Sequence, residues 1–476
     1  MDSSLIEGDS ARILGLQSGN YDVKITGKTS GETALITNLA VTSYDRSGYA
    51  HFGTGYSGGV GAYNDDGSLK ANAVIVTVDD TTKNTVTATL GGKTYTGLVA
   101  ILQAQSKSSY PLDVRIKGTI TTNQFQSKSI ASGYPYDDPT YYENTLETKY
   151  SENLKGLTVK ALGSSSAETY WNKTVSASAS SGYAFSYSKV TSTKSTDSYF
   201  NMCDVSGANN VTVEGITPDA TIEQWGFTWS KGNSIEVRNL LFQNNVEDAC
   251  SFQGGSNSNM DFHNFWLHHC RFNRGLNHWD LTYEQDKADG DGEFDIKYLH
   301  NITSDHNIFY NCHKTGLIGG SDSAYTENVT FHHNKYWKCS SRLPLGRQAN
   351  MHFYNNYYLD CTTCQDIRAN AYCFSEANYF SGCKNPQLIT GDGTAIKSFG
   401  DVLVSCGTSK ATVVTDRSKE VTNSCKPDGT TDYSSFTTSS SLFYYDVANK
   451  KSSVSLLLEA KDIPSYVEAN AGVFSY

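Results

Sequence analysis

The sequence is poor in proline, with 8 in 476 residues, and holds few stretches of Leu, Ala, Glu and Lys long enough to favour helix. It also lacks any run of 18 apolar residues, which excludes a membrane-spanning helix. No clustered basic stretch tracks phosphates, and 49 acidic against 38 basic side chains leave a formal charge of −11, so nucleic acid is not an expected partner. An acidic chain that takes a polyanion needs a local basic groove or bridging cations, because its net charge repels the ligand. No charged-then-apolar leader follows Met1, and Met1-Asp2 reads as a trimmed start. The 11 cysteines are too sparse for a disulfide-stapled mini-fold, and their odd number leaves at least one without an intramolecular partner.

What is abundant is turn and strand chemistry: 40 Gly, 31 Tyr and 20 Phe make an all-β fold the expectation. Residues 1–55 carry alternating runs, Tyr21-Asp22-Val23-Lys24-Ile25 and Ala34-Leu35-Ile36-Thr37, divided by Gly27-Lys28-Thr29-Ser30-Gly31. They read as a small β-rich appendage, either part of a fibronectin-like sandwich or strands docked on the main body. The body is expected over 56–476, with a Ser/Thr/Tyr-rich insertion at about 124–200 and a capping segment at about 400–476 that ends in a short helix around Asp462 to Gly472.

An internal repeat carries the fold prediction. Asn307, Asn334, Asn356 and Asn378 are each followed two residues later by an aromatic and five residues later by cysteine (Cys312, Cys339, Cys361 and Cys383). Upstream, Val211-Thr212-Val213 and Ile235-Glu236-Val237 repeat a strand pattern. A period of about 20 to 30 residues with a short strand in each segment predicts stacked coils. Equivalent asparagines would then exchange amide hydrogen bonds in a ladder, with the aromatics stacked inside. The four cysteines are expected to pack as small buried hydrophobes. A leucine-rich repeat is disfavoured because its Leu-x-x-Leu-x-Leu pattern is absent, so the expected architecture is a single-stranded right-handed parallel β-helix.

Three clusters carry candidate chemistry. Asp289-Gly290-Asp291-Gly292-Glu293-Phe294-Asp295 places four carboxylates among glycines, a hard-oxygen set suited to Ca²⁺. It is not an EF-hand loop, and in isolation a solvated acidic turn would be the simpler reading. Glu247-Asp248 follows a plausible coil strand and could face that cluster from a neighbouring coil. Lys314 follows the Asn307 to Cys312 unit, and Arg342-Leu343-Pro344-Leu345-Gly346-Arg347 follows the Asn334 to Cys339 unit. At one coil per repeat, Lys314 and Arg342 sit at nearly equivalent phases. A basic face beside carboxylates is what an acidic sugar chain requires.

With these motifs the chain resembles the pectate lyase family of parallel β-helix polysaccharide lyases, from about Pro111 through Asn210-Val211-Thr212-Val213-Glu214-Gly215-Ile216 and Val237-Arg238-Asn239-Leu240 to about Asn385-Pro386. The resemblance implies that Asp248, Asp291 and Asp295 bind calcium, with Glu247 as a further candidate, and that Lys314, Arg342 and Arg347 contact the uronate. Arg342 matches the arginine taken as the proton-abstracting base. Where family members often read Trp-Ile-Asp-His, this chain has Trp266-Leu267-His268-His269, which puts in doubt any bond the Asp would make.

The implied activity is calcium-dependent β-elimination of α-1,4-linked polygalacturonate, by a secreted monomer with no nucleic-acid or membrane partner. Arginine is a reluctant base, since its free pKa exceeds 12, and nearby positive charge disfavours its protonated form, so an alkaline optimum is expected. A pectin lyase acting on methyl esters, a polygalacturonase working with paired carboxylates and a non-catalytic pectin-binding β-helix are the alternatives.

Overall fold

The repeat becomes one turn of a coil. In a computed structural model, residues 6–7, 10–51, 53, 55–121, 176–178, 182–184, 202–223, 225–243, 245, 248–273, 292–391, 393–414, 422–424 and 457–474 are described. The expected insertion therefore lies almost wholly outside the described residues, as does the 425–456 part of the C-terminal segment. Among the described residues, the coil strands gather into three sheets of eight, twelve and nine strands. Successive coils pair in parallel in each sheet, as with Asn209–Gly215 on Asn233–Arg238 and Lys335–Trp337 on Tyr357–Leu359. The architecture is the right-handed parallel β-helix that the repeat predicts.

Side-chain ladders lock the register. The amide of Asn307 donates to Asn334 Oδ1 at 3.1 Å, Asn334 to Asn356 at 3.0 Å and Asn356 to Asn378 at 3.0 Å. Asp401 ends the series by accepting from Asn378 at 3.0 Å. Each ladder oxygen also accepts the backbone N–H of the asparagine one coil earlier, so a buried polar position is satisfied twice. The residue before each ladder asparagine turns the corner with positive φ: His306 at 49°, His333 at 52°, Asn355 at 52° and Ala377 at 50°. Asn and His enter that region more readily than most residues, which accounts for their recurrence here.

Inside, Phe309, Tyr336, Tyr358 and Phe380 stack with centroids 5.0, 4.9 and 4.5 Å apart and rings within 7° of parallel. Such pairs contribute roughly 0.5–1.5 kcal/mol each beyond the area they bury. In the eight-stranded sheet, Ile296, Ile318, Gly346, Ile367 and Ile389 stand in register, and the four isoleucines point into the core. Side chains alternate along a strand, so the flanking Asp295 and Lys297, Leu345 and Arg347, and Asp366 and Arg368 share the opposite, outer face.

Other segments dress the coils. The helix Leu98–Ala104 inserts Leu98, Ile101 and Leu102 into the core at the N-terminal end. Gly19–Thr26 and Thr33–Val41 form an antiparallel hairpin that is exposed over most of its length. Beyond it the chain straps across the twelve-stranded sheet, with Ala50 N donating to Thr303 Oγ1 at 2.9 Å and Ala62 N to Thr212 Oγ1 at 2.8 Å. Near the C-terminus, the helix Ile463–Asn470 buries Ile463 and Val467 against Tyr357 on the flank of the stack.

Candidate functional site

The outer face of the eight-stranded sheet holds the candidate residues. Strand Cys250–Gln253 pairs with Phe294–Lys297, which pairs with Gly316–Ile318, which pairs with Leu345–Arg347. Asp295, Leu317 and Leu345 stand in one row, so Asp295 and the strand bearing Arg347 lie two strand spacings apart, about 10 Å.

Two carboxylates converge on a glycine. Asp248 Oδ1 accepts the backbone N–H of Gly292 at 3.0 Å, and its Oδ2 accepts from Ser251 Oγ at 2.6 Å. Asp295 Oδ1 accepts the N–H of Leu317 at 3.1 Å. A Cβ placed on Gly292 would sit 2.6 Å from Asp248 Oδ1 and 3.0 Å from Asp295 Oδ1. Only glycine leaves that hollow open, and its lining of hard oxygens fits Ca²⁺. Neighbouring coils thus bring together Asp248 and Asp295, 47 residues apart in sequence. Asp291 and Glu247 lie outside the described residues.

The cations adjoin this hollow. Lys314 is buried and its backbone bridges in parallel to Ser341, next to Arg342. The Gly316 N–H donates to the Arg342 carbonyl at 2.7 Å, fixing the two turns side by side. Arg342 itself is a left-handed residue at φ 60°, followed by the cis peptide Leu343–Pro344. Arg347 stands at the edge of the face, with Nε 3.4 Å from Asp322 Oδ1. The fold therefore gathers Asp248, Asp295, Lys314, Arg342 and Arg347 along one strip, four coils wide.

Residues 194–455, more than half of the chain, match the family described as pectate lyase. The chain belongs to the pectate lyase family. It is a polysaccharide lyase by that membership. No curated protein matches the chain. Among solved structures, a Bacillus pectate lyase in complex with trigalacturonate is 17% identical, with 90% of this chain and 98% of that one covered and a TM-score of 0.45. Pectate lyase II from Xanthomonas campestris is 16% identical over the same shares, at a TM-score of 0.49. Pectate lyase C from Erwinia chrysanthemi, at pH 9.5 with 30 mM Ca²⁺, is 17% identical over 85% of this chain and 93% of that one, at 0.46.

In this pectate lyase, His268 answers the doubt raised by its sequence. Its ring stacks on Trp266 at 3.7 Å and its Nε2 meets Glu236 Oε1 at 3.1 Å. Glu236 also takes Arg238 at 3.0 Å, and Arg238 holds Glu214 at 2.9 Å, so His268 is tied into a buried ionic wall under the strap. Two cations on the outer face of the site sheet escaped the sequence reading. Arg368 pairs in register with Arg347 and is held by Asp366, while Lys297 lies two residues past Asp295. Arg368 lies 21 residues past Arg347, one short of the 22-residue step between the ladder asparagines, so the repeat spacing alone lands on Ala369.

Proposed function

We propose that this pectate lyase cleaves α-1,4-linked polygalacturonate by calcium-dependent β-elimination, and that it acts outside the cell as a monomer. The observation that carries the reading is the convergence of Asp248 and Asp295 on the Gly292 hollow beside Lys314, Arg342 and Arg347. Asp248 and Asp295, with Asp291, would hold Ca²⁺, which when bound neutralises the substrate's C6 carboxylate and so acidifies the adjacent C5–H.

Lys314 and Arg347 hold the uronate and offset the negative charge that develops on it. Arg342 takes the C5 proton. The C5–H electron pair becomes the C4–C5 double bond, and the C4–O bond breaks with its pair on the leaving sugar oxygen, which is then protonated. The products are a 4,5-unsaturated oligogalacturonide and a new chain end. The strip of alternating cations and carboxylates suits an anionic polymer on a protein of net charge −11.

The test is ultraviolet absorbance of the unsaturated product from polygalacturonate at alkaline pH, with added Ca²⁺ and then excess chelator. Absorbance should grow with Ca²⁺, stop with chelator and fall at least 1000-fold in Arg342→Ala, an effect of the size that loss of proton-transfer catalysis gives. Reducing ends without absorbance would establish a hydrolase. Activity on methylated pectin alone, indifferent to chelator, would establish a pectin lyase; binding without cleavage would leave a carbohydrate-binding module.

A further inference from the structure

Ten cysteines fall among the described residues, and none is in a disulfide. Cys312, Cys339, Cys361 and Cys383 form a column, each Sγ reaching a carbonyl of the coil before: Phe272 at 3.7 Å, Phe309 at 3.2 Å, Tyr336 at 3.4 Å and Tyr358 at 3.5 Å. One cysteine per coil is what packing of a small hydrophobe requires. Cys364 is different. It lies on the strand Thr363–Arg368 of the site sheet, where the register puts Leu343 and Pro386 in the adjoining coils. From there it meets two members of the column: the Sγ atoms of Cys361, Cys364 and Cys383 all lie within 4.8 Å of one another, fully buried.

That spacing is close to a metal's. At a metal–sulfur distance of about 2.3 Å, the sulfurs of a tetrahedral site stand about 3.8 Å apart, so closure needs movements of about 1 Å or less per pair. A second feature points the same way. Tyr336 is 1% exposed, its hydroxyl has no hydrogen-bond partner, and the thiols of Cys339, Cys361 and Cys364 are among the groups around it. A hydroxyl is thus held, unsatisfied, among thiols that include two of the three convergent ones, Cys361 and Cys364.

We propose that Cys361, Cys364 and Cys383 form a binding site for a thiophilic d¹⁰ cation, distinct from the carboxylate hollow on the outer face and serving as a staple across two coils near the C-terminal end of the stack. Soft sulfur ligands select such ions over Ca²⁺ and Mg²⁺. Among the described cysteines only Cys406 is not buried. Uptake replaces S–H with metal–thiolate bonds and releases the protons to solvent, so affinity rises with pH.

The test adds Cd²⁺ to the full chain, kept reduced with a non-thiol reductant and saturated with Ca²⁺ to block the carboxylates. One equivalent should produce thiolate-to-metal charge-transfer absorbance, proton release and a higher unfolding temperature. Cys364→Ala and Cys383→Ala should each weaken that equivalent at least tenfold while retaining the far-ultraviolet dichroism and calcium-dependent lyase activity of the parent; either variant suffices if the other fails to fold. Absence of the charge-transfer band in the parent, or an undiminished band in a folded variant, would overturn the proposal.

Discussion

Acidification should destabilise this protein steeply because of the histidines buried under its N-terminal strap. His51, His268, His269, His332 and His333 all have pKa values pushed well below the ordinary 6.5, first by burial and then by neighbouring basic groups: Arg46 beside His51, Arg238 beside His268, and His306 beside the other three. The native chain keeps these rings neutral, whereas the unfolded chain protonates them below about pH 6.5. The unfolded state therefore binds more protons, and stability is lost as pH falls. At about pH 5.5 each ring costs roughly RT ln 11, about 1.4 kcal/mol, so five cost about 7 kcal/mol.

Buried carboxyls oppose this. Asp305 is raised to about 6 by burial, so its proton stabilises the native state at low pH and that contribution is lost as pH rises through about 6. It returns about 1 kcal/mol at pH 5.5, and Asp113, Asp204 and Asp401, raised by burial as well, act in the same sense. The five rings less Asp305 lose about 6 kcal/mol from pH 8 to 5.5, before the further offset from the other buried carboxyls, a large share of the roughly 5–15 kcal/mol that holds a typical domain. Urea unfolding followed by tryptophan fluorescence at the two pH values, at constant ionic strength and with chelator to remove any calcium term, measures it. A change under about 1 kcal/mol would refute the reasoning.

Asn356→Ala should cost about 2–4 kcal/mol in the same assay, because it strips an acceptor from the Asn334 side chain and backbone and a donor from the Phe331 carbonyl and Asn378. Gly292→Ala should raise the Ca²⁺ concentration for half-maximal lyase activity at least tenfold with little effect on the urea midpoint, since the new methyl would press on Asp248 and Asp295. An unchanged calcium requirement would separate the hollow from the metal. Phe380→Ala, at the end of the aromatic stack, should cost about 3–5 kcal/mol of unfolding free energy without changing calcium dependence.

The recurring Asn-x-aromatic and cysteine spacing determined the β-helix, because in a solenoid each coil meets only its neighbours and one period repeats one environment. Lys314 beside Arg342 was legible for the same reason, since equal phase in a repeat means the same edge of the stack. That Glu247-Asp248 faces the 289–295 cluster was suggested by the coils, but which carboxylates meet required the resemblance, because the paired coils are separated by 274–291, where no repeat spacing carries the phase. The histidine wall under residues 44–51 was not legible at all. Its histidines look like ordinary coil-corner and strand residues, and only the strap from more than 200 residues earlier, with Tyr466 and Phe474 from the C-terminus, covers them. In sequence, Cys364 stands only in the short Cys361-Thr362-Thr363-Cys364 stretch, too few ligands on its own for a metal site. Only the folded coils bring its sulfur to Cys361 and Cys383, because contacts across a coil depend on where the corners fall rather than on the repeat.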